Sequence, residues 1–283
     1  MGNLRDLFLL WIIRLKRKKT VIHLHGGYFR ELIDHDIPKW QRKKNVKALS
    51  KIDRAVVLSE SFRKIFAGLL EEKKIEVVPN FFDCSEDEAE KSIKEDSTKK
   101  KVLYLSNMIE SKGYKEVLQL AIIEKKEAKG YHFDFAGAFF EASLQNEFEK
   151  IVSDNELGDI VTYHGVVEGK KKQELLDNSD IFILLTRYPK EGQPISILEA
   201  MANGLAIIAT DHAAIPDMIK DGENGILVRK ETSANDIYEA MKQLDLETIS
   251  RNNINVANTF YSKSNYINNM RRVFENTMNG IEK

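Results

Sequence analysis

Nine short runs rich in β-branched and aromatic residues recur along the chain, at 21–25, 55–59, 75–78, 102–106, 132–136, 161–164, 181–185, 206–210 and 225–228. Between most of them lie stretches with apolar residues at three- and four-residue spacing, such as 115–129, 142–155 and 196–202, the period of an amphipathic helix. A chain that alternates strand with helix brings its strands back parallel, and a parallel sheet is covered by helices on both faces. The expected fold class is therefore α/β. No fixed-period repeat is present, which excludes solenoids and propellers.

The longest apolar run, 7–13, falls far short of the roughly 18 to 20 residues needed to span a bilayer, and basic residues follow it rather than precede it. Neither a membrane span nor a secretory leader is expected. A lone Cys84 excludes an internal disulfide and a Cys-rich zinc site, and fits a reducing, cytoplasmic setting. The net charge of −1 hides an asymmetry: residues 1–80 carry 18 Lys and Arg against 9 Asp and Glu. Such a basic half is either a solvated face or a surface for an anionic partner.

Residues 83–101, DCSEDEAEKSIKEDSTKKK, are dense in charge and poor in apolar residues, as expected of a linker. They divide the chain into an N-terminal domain (1–82), a C-terminal domain (102–260) and a last helix (261–283) that would cross back to the first domain. Six strand candidates follow the linker, enough for a complete doubly wound nucleotide-binding domain. Only three precede it, so the first domain reads as partial and would leave a sheet edge uncovered.

The segment 186–204, TRYPKEGQPISILEAMANG, runs from a strand through a Pro/Gly loop into a helix. Pro194 suits the first helical position and Gly204 the position just past the helix end. A strand, a Gly loop and a helix N-terminus together make an anion cradle of free N–H groups and positive dipole. Glu191 then belongs to the loop and Glu199 to the second helical turn. They either grip different hydroxyls of one phosphate-containing ligand or are a surface loop residue and an exposed helix residue.

These residues carry a family resemblance. The pattern E-G-x-P-x-x-x-L-E-A-M-A-x-G resembles the E-x7-E signature of the retaining glycosyltransferases of family 4, which have the GT-B fold of two Rossmann-like domains. Six more segments resemble that family in order: His23-Leu-His25-Gly-Gly, Val57-Leu-Ser-Glu60, Val77-Val-Pro-Asn80, the loop from Leu105 to Lys112-Gly113, Ala136-Gly137, and Ile215-Pro216 with Asp221-Gly222-Glu-Asn-Gly225. The fold implied is GT-B-like, with a complete Rossmann-like C-terminal domain and a partial N-terminal one on the acceptor side.

By that resemblance the C-terminal domain would bind a nucleotide-diphosphate sugar, a UDP-sugar first among the candidates. Glu199 would hold the ribose hydroxyls. Glu191 would bond the transferred sugar and stabilise charge at its anomeric centre. The backbone of Gly192, Gln193, Pro194 and Ile195 would take the distal phosphate, and Lys112 would neutralise the departing diphosphate. His25, at a strand end and followed by Gly26-Gly27 where backbone could approach a ligand, would assist sugar, phosphate or acceptor. His23 is expected to face the other way, as a core residue. His164 and His212 are given no role beyond lining. With no Asp-x-Asp directly after a strand and no His/Cys cluster at metal-ligand spacing, neither a metal nor another cofactor is expected.

Two departures stand out. The arginine that usually precedes the lysine by five residues is Asn107 here, with Arg187 as the possible substitute, and the Gly-Gly before Ile-Pro is Ala213-Ala214. The chain is further expected to begin within its first domain, which a partner chain would complete. The apolar residues of 4–19 then seek a sheet, while their basic neighbours suit an anionic membrane surface, peripheral at its inner face. Nucleic acid is not expected, since no groove-reading module or stacking aromatics accompany the basic runs. The function implied is retaining transfer of a hexose-type sugar to a hydroxyl of a cell-surface polysaccharide or a lipid-linked saccharide. The alternative is a non-catalytic nucleotide-sugar-binding subunit.

Overall fold

The computed structural model describes residues 2–83 and 99–280. Cys84 and most of the charged stretch expected at 83–101 lie outside the described residues. The fold is α/β throughout, and the chain divides into two compact units. The first comprises Met1–Phe81, Pro189–Gln193 and Lys263–Lys283, the second Phe82–Tyr188 and Pro194–Ser262.

In the first unit, helix α1 (Gly2–Leu15) leads into a parallel three-stranded sheet of β1 (Val21–His23), β2 (Arg54–Val57) and β3 (Ile75–Val77), in that order across the sheet. A short turn of helix, α2 (Phe29–Glu31), and then α3 (Lys39–Leu49) connect β1 to β2. The central strand is buried along its whole length. Its Arg54 is buried too, and it is tolerated there because Glu76 Oε1, at 2.9 Å, and the Lys73 carbonyl accept from its guanidinium. The last helix, which is α10 once the second unit's helices are numbered below, spans Lys263–Asn279. It sets Tyr266, Met270 and Val273 along one stripe, and these pack with Val56 and Val78.

The second unit is a six-stranded parallel sheet: β4 (Lys100–Leu105), β5 (Tyr131–Ala136), β6 (Val161–Tyr163), β7 (Ile181–Leu184), β8 (Ala206–Thr210) and β9 (Gly225–Val228). Helices α4 (Tyr114–Glu127), α5 (Ala142–Asp154), α6 (Gly169–Asp177), α7 (Ile195–Ala202), α8 (Ala234–Lys242) and α9 (Leu246–Phe260) connect and cover the strands. The order is β6-β5-β4-β7-β8-β9. The chain therefore winds outward from β4 in one direction, returns, and winds outward from β7 in the other. Val102 pairs with Ile181 where the two halves meet, and ligands of such sheets bind beyond the strand ends at this reversal.

All nine expected strands form, with ends displaced by at most two residues. The first stops at His23, leaving His25 beyond the strand. The expectation that His23 and His25 face opposite ways is wrong. Residues two apart in extended chain project to the same side, and their rings stand 4.1 Å apart. Pro194 also lies one place earlier than expected, at the N-cap of α7 rather than inside it.

Candidate functional site

The loops that follow β4 and β7 are locked together at the reversal of the sheet. Gly113 sits at φ 87°, and a Cβ there would lie 2.4 Å from the Leu185 carbonyl oxygen, so only glycine lets the Lys112 loop close on the end of β7. The Arg187 N–H donates to the Ser111 carbonyl at 2.6 Å. The Lys112 ammonium stands 5.0 Å from the Tyr188 ring centroid, a cation–π distance. The Arg187 guanidinium is ion-paired with Glu116 of α4, so its charge is already partnered. Asn107 is exposed, and its carbonyl accepts from Tyr104 at 3.0 Å.

Helix α7 begins with no side chain capping it, and Ile195 in its first turn is exposed. Its leading N–H groups and its dipole present positive potential there. One turn further in, Glu199 accepts from Lys172 of α6 at 2.7 Å. Gly204 ends the helix at φ 78°, the left-handed conformation of a helix stop.

In the first unit, the 189–193 segment lies against the His-Gly-Gly turn. Gly26 pairs with Gly192 in an antiparallel bridge, and the Gly27 N–H donates to the Glu191 carbonyl at 2.9 Å. A Cβ on Gly192 would lie 2.0 Å from the His25 carbonyl oxygen, and one on Gly27 2.7 Å from that of Glu191. These glycines thus permit a close backbone approach to the chain's own loop. The contact brings together His25 and Glu191, which are far apart in sequence. Glu191 is 8% exposed, and His25 lies open. Gln193 is bonded to Asn80, whose backbone N–H donates to its Oε1 at 2.7 Å and whose Nδ2 donates to its carbonyl at 3.0 Å.

His23 is the unusual member of this group. Its Nε2 is buried without a hydrogen-bond partner, and burial first, then the neighbouring His25, hold its pKa down to about 4. It is neutral at physiological pH. In the second unit, His164 bonds the buried Asp134 at 2.6 Å, and His212 Nε2 meets the Tyr188 carbonyl at 2.8 Å. Both have structural partners. No group of three or more His, Cys, Asp or Glu is placed to hold a metal ion among the described residues. No helix among them is long and apolar enough to cross a membrane.

Residues 85–258, more than half of the chain, match the family described as Glycosyl transferases group 1. The chain belongs to that family. Among its relatives is an uncharacterized 41.2 kDa protein in the cps region of Klebsiella pneumoniae, 26% identical over 255 residues, which are 84% of this chain and 64% of that protein. Another is the poly(ribitol-phosphate) alpha-N-acetylglucosaminyltransferase of Staphylococcus aureus, 25% identical over 224 residues, 78% of this chain and 42% of that enzyme. The chain thus spans from 42% to 64% of the length of these relatives. The fold is shared with Anabaena Alr3699/HepE, solved in complex with UDP, at a TM-score of 0.77 and 16% identity over 97% of this chain and 76% of that one. That fold is GT-B.

For a group 1 glycosyl transferase, the sequence motifs locate both clusters but not the groups that hold them. Lys172, Glu116 and Tyr188 carry no signal of their own: Lys172 is one of three consecutive lysines and Glu116 one of several acids on α4. Asn80 was visible only as the last residue of a Pro-Asn motif, and its partner Gln193 only as a loop residue.

Proposed function

We propose that this group 1 glycosyl transferase moves a sugar from a nucleotide-diphosphate donor, a UDP-sugar foremost, to a hydroxyl of a cell-surface polysaccharide or lipid-linked saccharide with retained configuration. The observation that carries this reading is the set of groups around the reversal between β4 and β7. Lys112, the uncapped start of α7 and Glu199 all lie on elements that follow those two strands. An anion suits the first two, and a ribose diol suits the carboxylate. The bond broken is that between the anomeric carbon and the diphosphate oxygen, and the bond formed joins that carbon to the acceptor oxygen. The acceptor's proton leaves with the diphosphate or is taken by a nearby base. Lys112 and the helix end offset the charge on the leaving diphosphate, so no metal ion is required. Glu191 and His25 serve the sugar and the acceptor. The UDP complex of HepE and the named activity of the staphylococcal relative support this reading.

A second reading, a nucleotide-sugar-binding subunit without activity of its own, is favoured by one observation. Asn107 replaces a cation, and Arg187, its candidate substitute, is engaged by Glu116.

Thermal unfolding with UDP, GDP and ADP tests the donor site, because a ligand confined to the native state adds about 2.7 kcal/mol at a hundredfold excess over its Kd. One base should raise Tm selectively in the wild type and not in Glu199→Ala. Release or transfer of the sugar, abolished in Glu191→Gln and retained in EDTA, separates enzyme from binding subunit. A folded protein that no nucleotide stabilises would overturn both readings.

A further inference from the structure

The backbone ladder between β7 and β8 pairs its last residues at Leu184 and Ala209, yet the two chains stay tied beyond it. Thr210 Oγ1 donates to the Thr186 carbonyl at 2.5 Å, and His212 Nε2 bonds the Tyr188 carbonyl at 2.8 Å. A carbonyl only accepts, so this second bond places a proton on Nε2. The Tyr188 N–H donates to Thr186 Oγ1 at 3.2 Å, and both polar groups of the Tyr188 backbone are thereby engaged. Thr186 and Thr210 are buried, which anchors the segment on the strand ends.

On its other side the same segment is tied to the loop after β4. The residue before Tyr188 bonds the residue before Lys112, the Arg187 N–H donating to the Ser111 carbonyl. That register sets Tyr188 beside Lys112, whose ammonium lies over the ring, 5.0 Å from its centroid. A ring face attracts a cation out to about 6 Å. A lysine head swings on a flexible four-carbon stem and loses that freedom when it meets an anion. An aromatic face under it restricts the head beforehand, and unlike a carboxylate it leaves the positive charge whole for the ligand. Asn107 stands where an arginine was expected, so placing Lys112 well matters all the more.

We infer, on the strength of the donor-site reading above, that Tyr188 is a positioning residue that presents the Lys112 ammonium to the donor diphosphate, and that His212 fixes Tyr188 for that task. Both act through Lys112, and His212 thus gains a role beyond lining.

Tyr188→Phe keeps the ring and Tyr188→Leu removes it; His212→Gln keeps a donor at the reach of Nε2 and His212→Leu removes it. Tm without ligand first establishes that each variant is folded. The wild type is titrated calorimetrically with UDP, GDP and ADP, and the diphosphate that binds becomes one probe. Its phosphate-free nucleoside, measured by competition, is the other. Both leucine variants should bind the diphosphate about threefold to thirtyfold more weakly, the span of a cation–π contact from exposed to desolvated settings. Their affinity for the nucleoside should match the wild type, and Tyr188→Phe and His212→Gln should restore the diphosphate. In a Lys112→Gln background Tyr188→Leu should cost nothing further, because residues that act through one contact do not add. Where leucine at 188 lowers Tm, a ring-fluorinated phenylalanine replaces it, keeping the shape and weakening the negative face of the ring; it too should lose diphosphate affinity.

Equal losses for diphosphate and nucleoside would make these residues walls of the pocket and overturn the inference. Wild-type affinity in the leucine variants, no rescue by Tyr188→Phe, or a full further loss in the Lys112→Gln background would do the same. A folded wild type that binds none of the three diphosphates would overturn the donor-site reading itself, and this inference with it.

Discussion

Lys172 Nζ donates to Glu199 Oε1 across 2.7 Å and joins α6 to α7. The carboxylate is 16% exposed and the lysine 32%, so the pair is partly withdrawn from water and orients the glutamate. The second carboxylate oxygen remains available for a ligand.

Lys172→Met should therefore weaken nucleotide binding by about tenfold, the scale of about 1–3 kcal/mol for stranding one partner of a charged hydrogen bond. The saturated rate should change little, and Lys172→Arg should restore part of the affinity. Isothermal titration with the nucleotide identified by thermal shift is the check. Unaltered affinity in Lys172→Met would show that Glu199 does not face the nucleotide.

Gly192→Ala tests the loop contact in the first unit. The new methyl would meet the His25 carbonyl at 2.0 Å, and neither backbone can yield without moving Glu191. A displacement of about 1 Å costs on the order of a hundredfold in rate where geometry is decisive. The melting temperature should fall, and initial rates should fall by that order even at temperatures where the variant is fully folded. Full activity in this variant would remove Glu191 from the reaction.

His23 makes stability pH-dependent in a definite direction. Its folded pKa lies near 4 against an ordinary 6.5, so between those values the unfolded chain binds a proton that the folded chain refuses. Stability at this position is complete above about pH 6.5 and is lost progressively on acidification to about pH 4. His23→Phe keeps a ring beside Tyr266, whose centroid lies 6.4 Å from that of His23, and removes the titration. The variant's gain in Tm over the wild type should be larger at pH 5 than at pH 7.5. An identical difference at both pH values would count against a buried neutral imidazole.

Ala213 holds φ 54°, a left-handed conformation that costs a non-glycine residue about 1 to 2 kcal/mol. Here the chain carries Ala-Ala where the family resemblance expects Gly-Gly. Ala213→Gly should raise stability by up to about 1 kcal/mol, after the added freedom of the unfolded chain is subtracted, as read by urea denaturation. A destabilised variant would mean that the alanine methyl has a packing role.

Sheet membership was legible because a strand buried on both faces needs an unbroken apolar run, as at Ile181 to Leu184 and Ala206 to Thr210, whatever its neighbours do. Strand ends were less legible: the first run reads through Leu24 and His25, yet ladder pairing ends at His23. The glycines of 26, 27 and 192 were visible as glycines, but their purpose was not, because it depends on which distant segment arrives opposite them. The same holds for Lys172 and Glu116. A charge on a helix surface acquires its role from a partner that spacing along the chain does not specify.

The first unit is assembled from three separated stretches of chain, whereas the second is nearly continuous. A ribosome therefore releases the β4 to β9 sheet complete before Val273 of α10 exists to pack on Val56 and Val78. The His25 turn likewise waits through more than half of synthesis for the five residues that meet it. Closure of long loops slows folding, so the second unit should be ordered on the nascent chain while the first is still open. Slow translation or bound chaperone should then bear on the N-terminal strands, although they are made first.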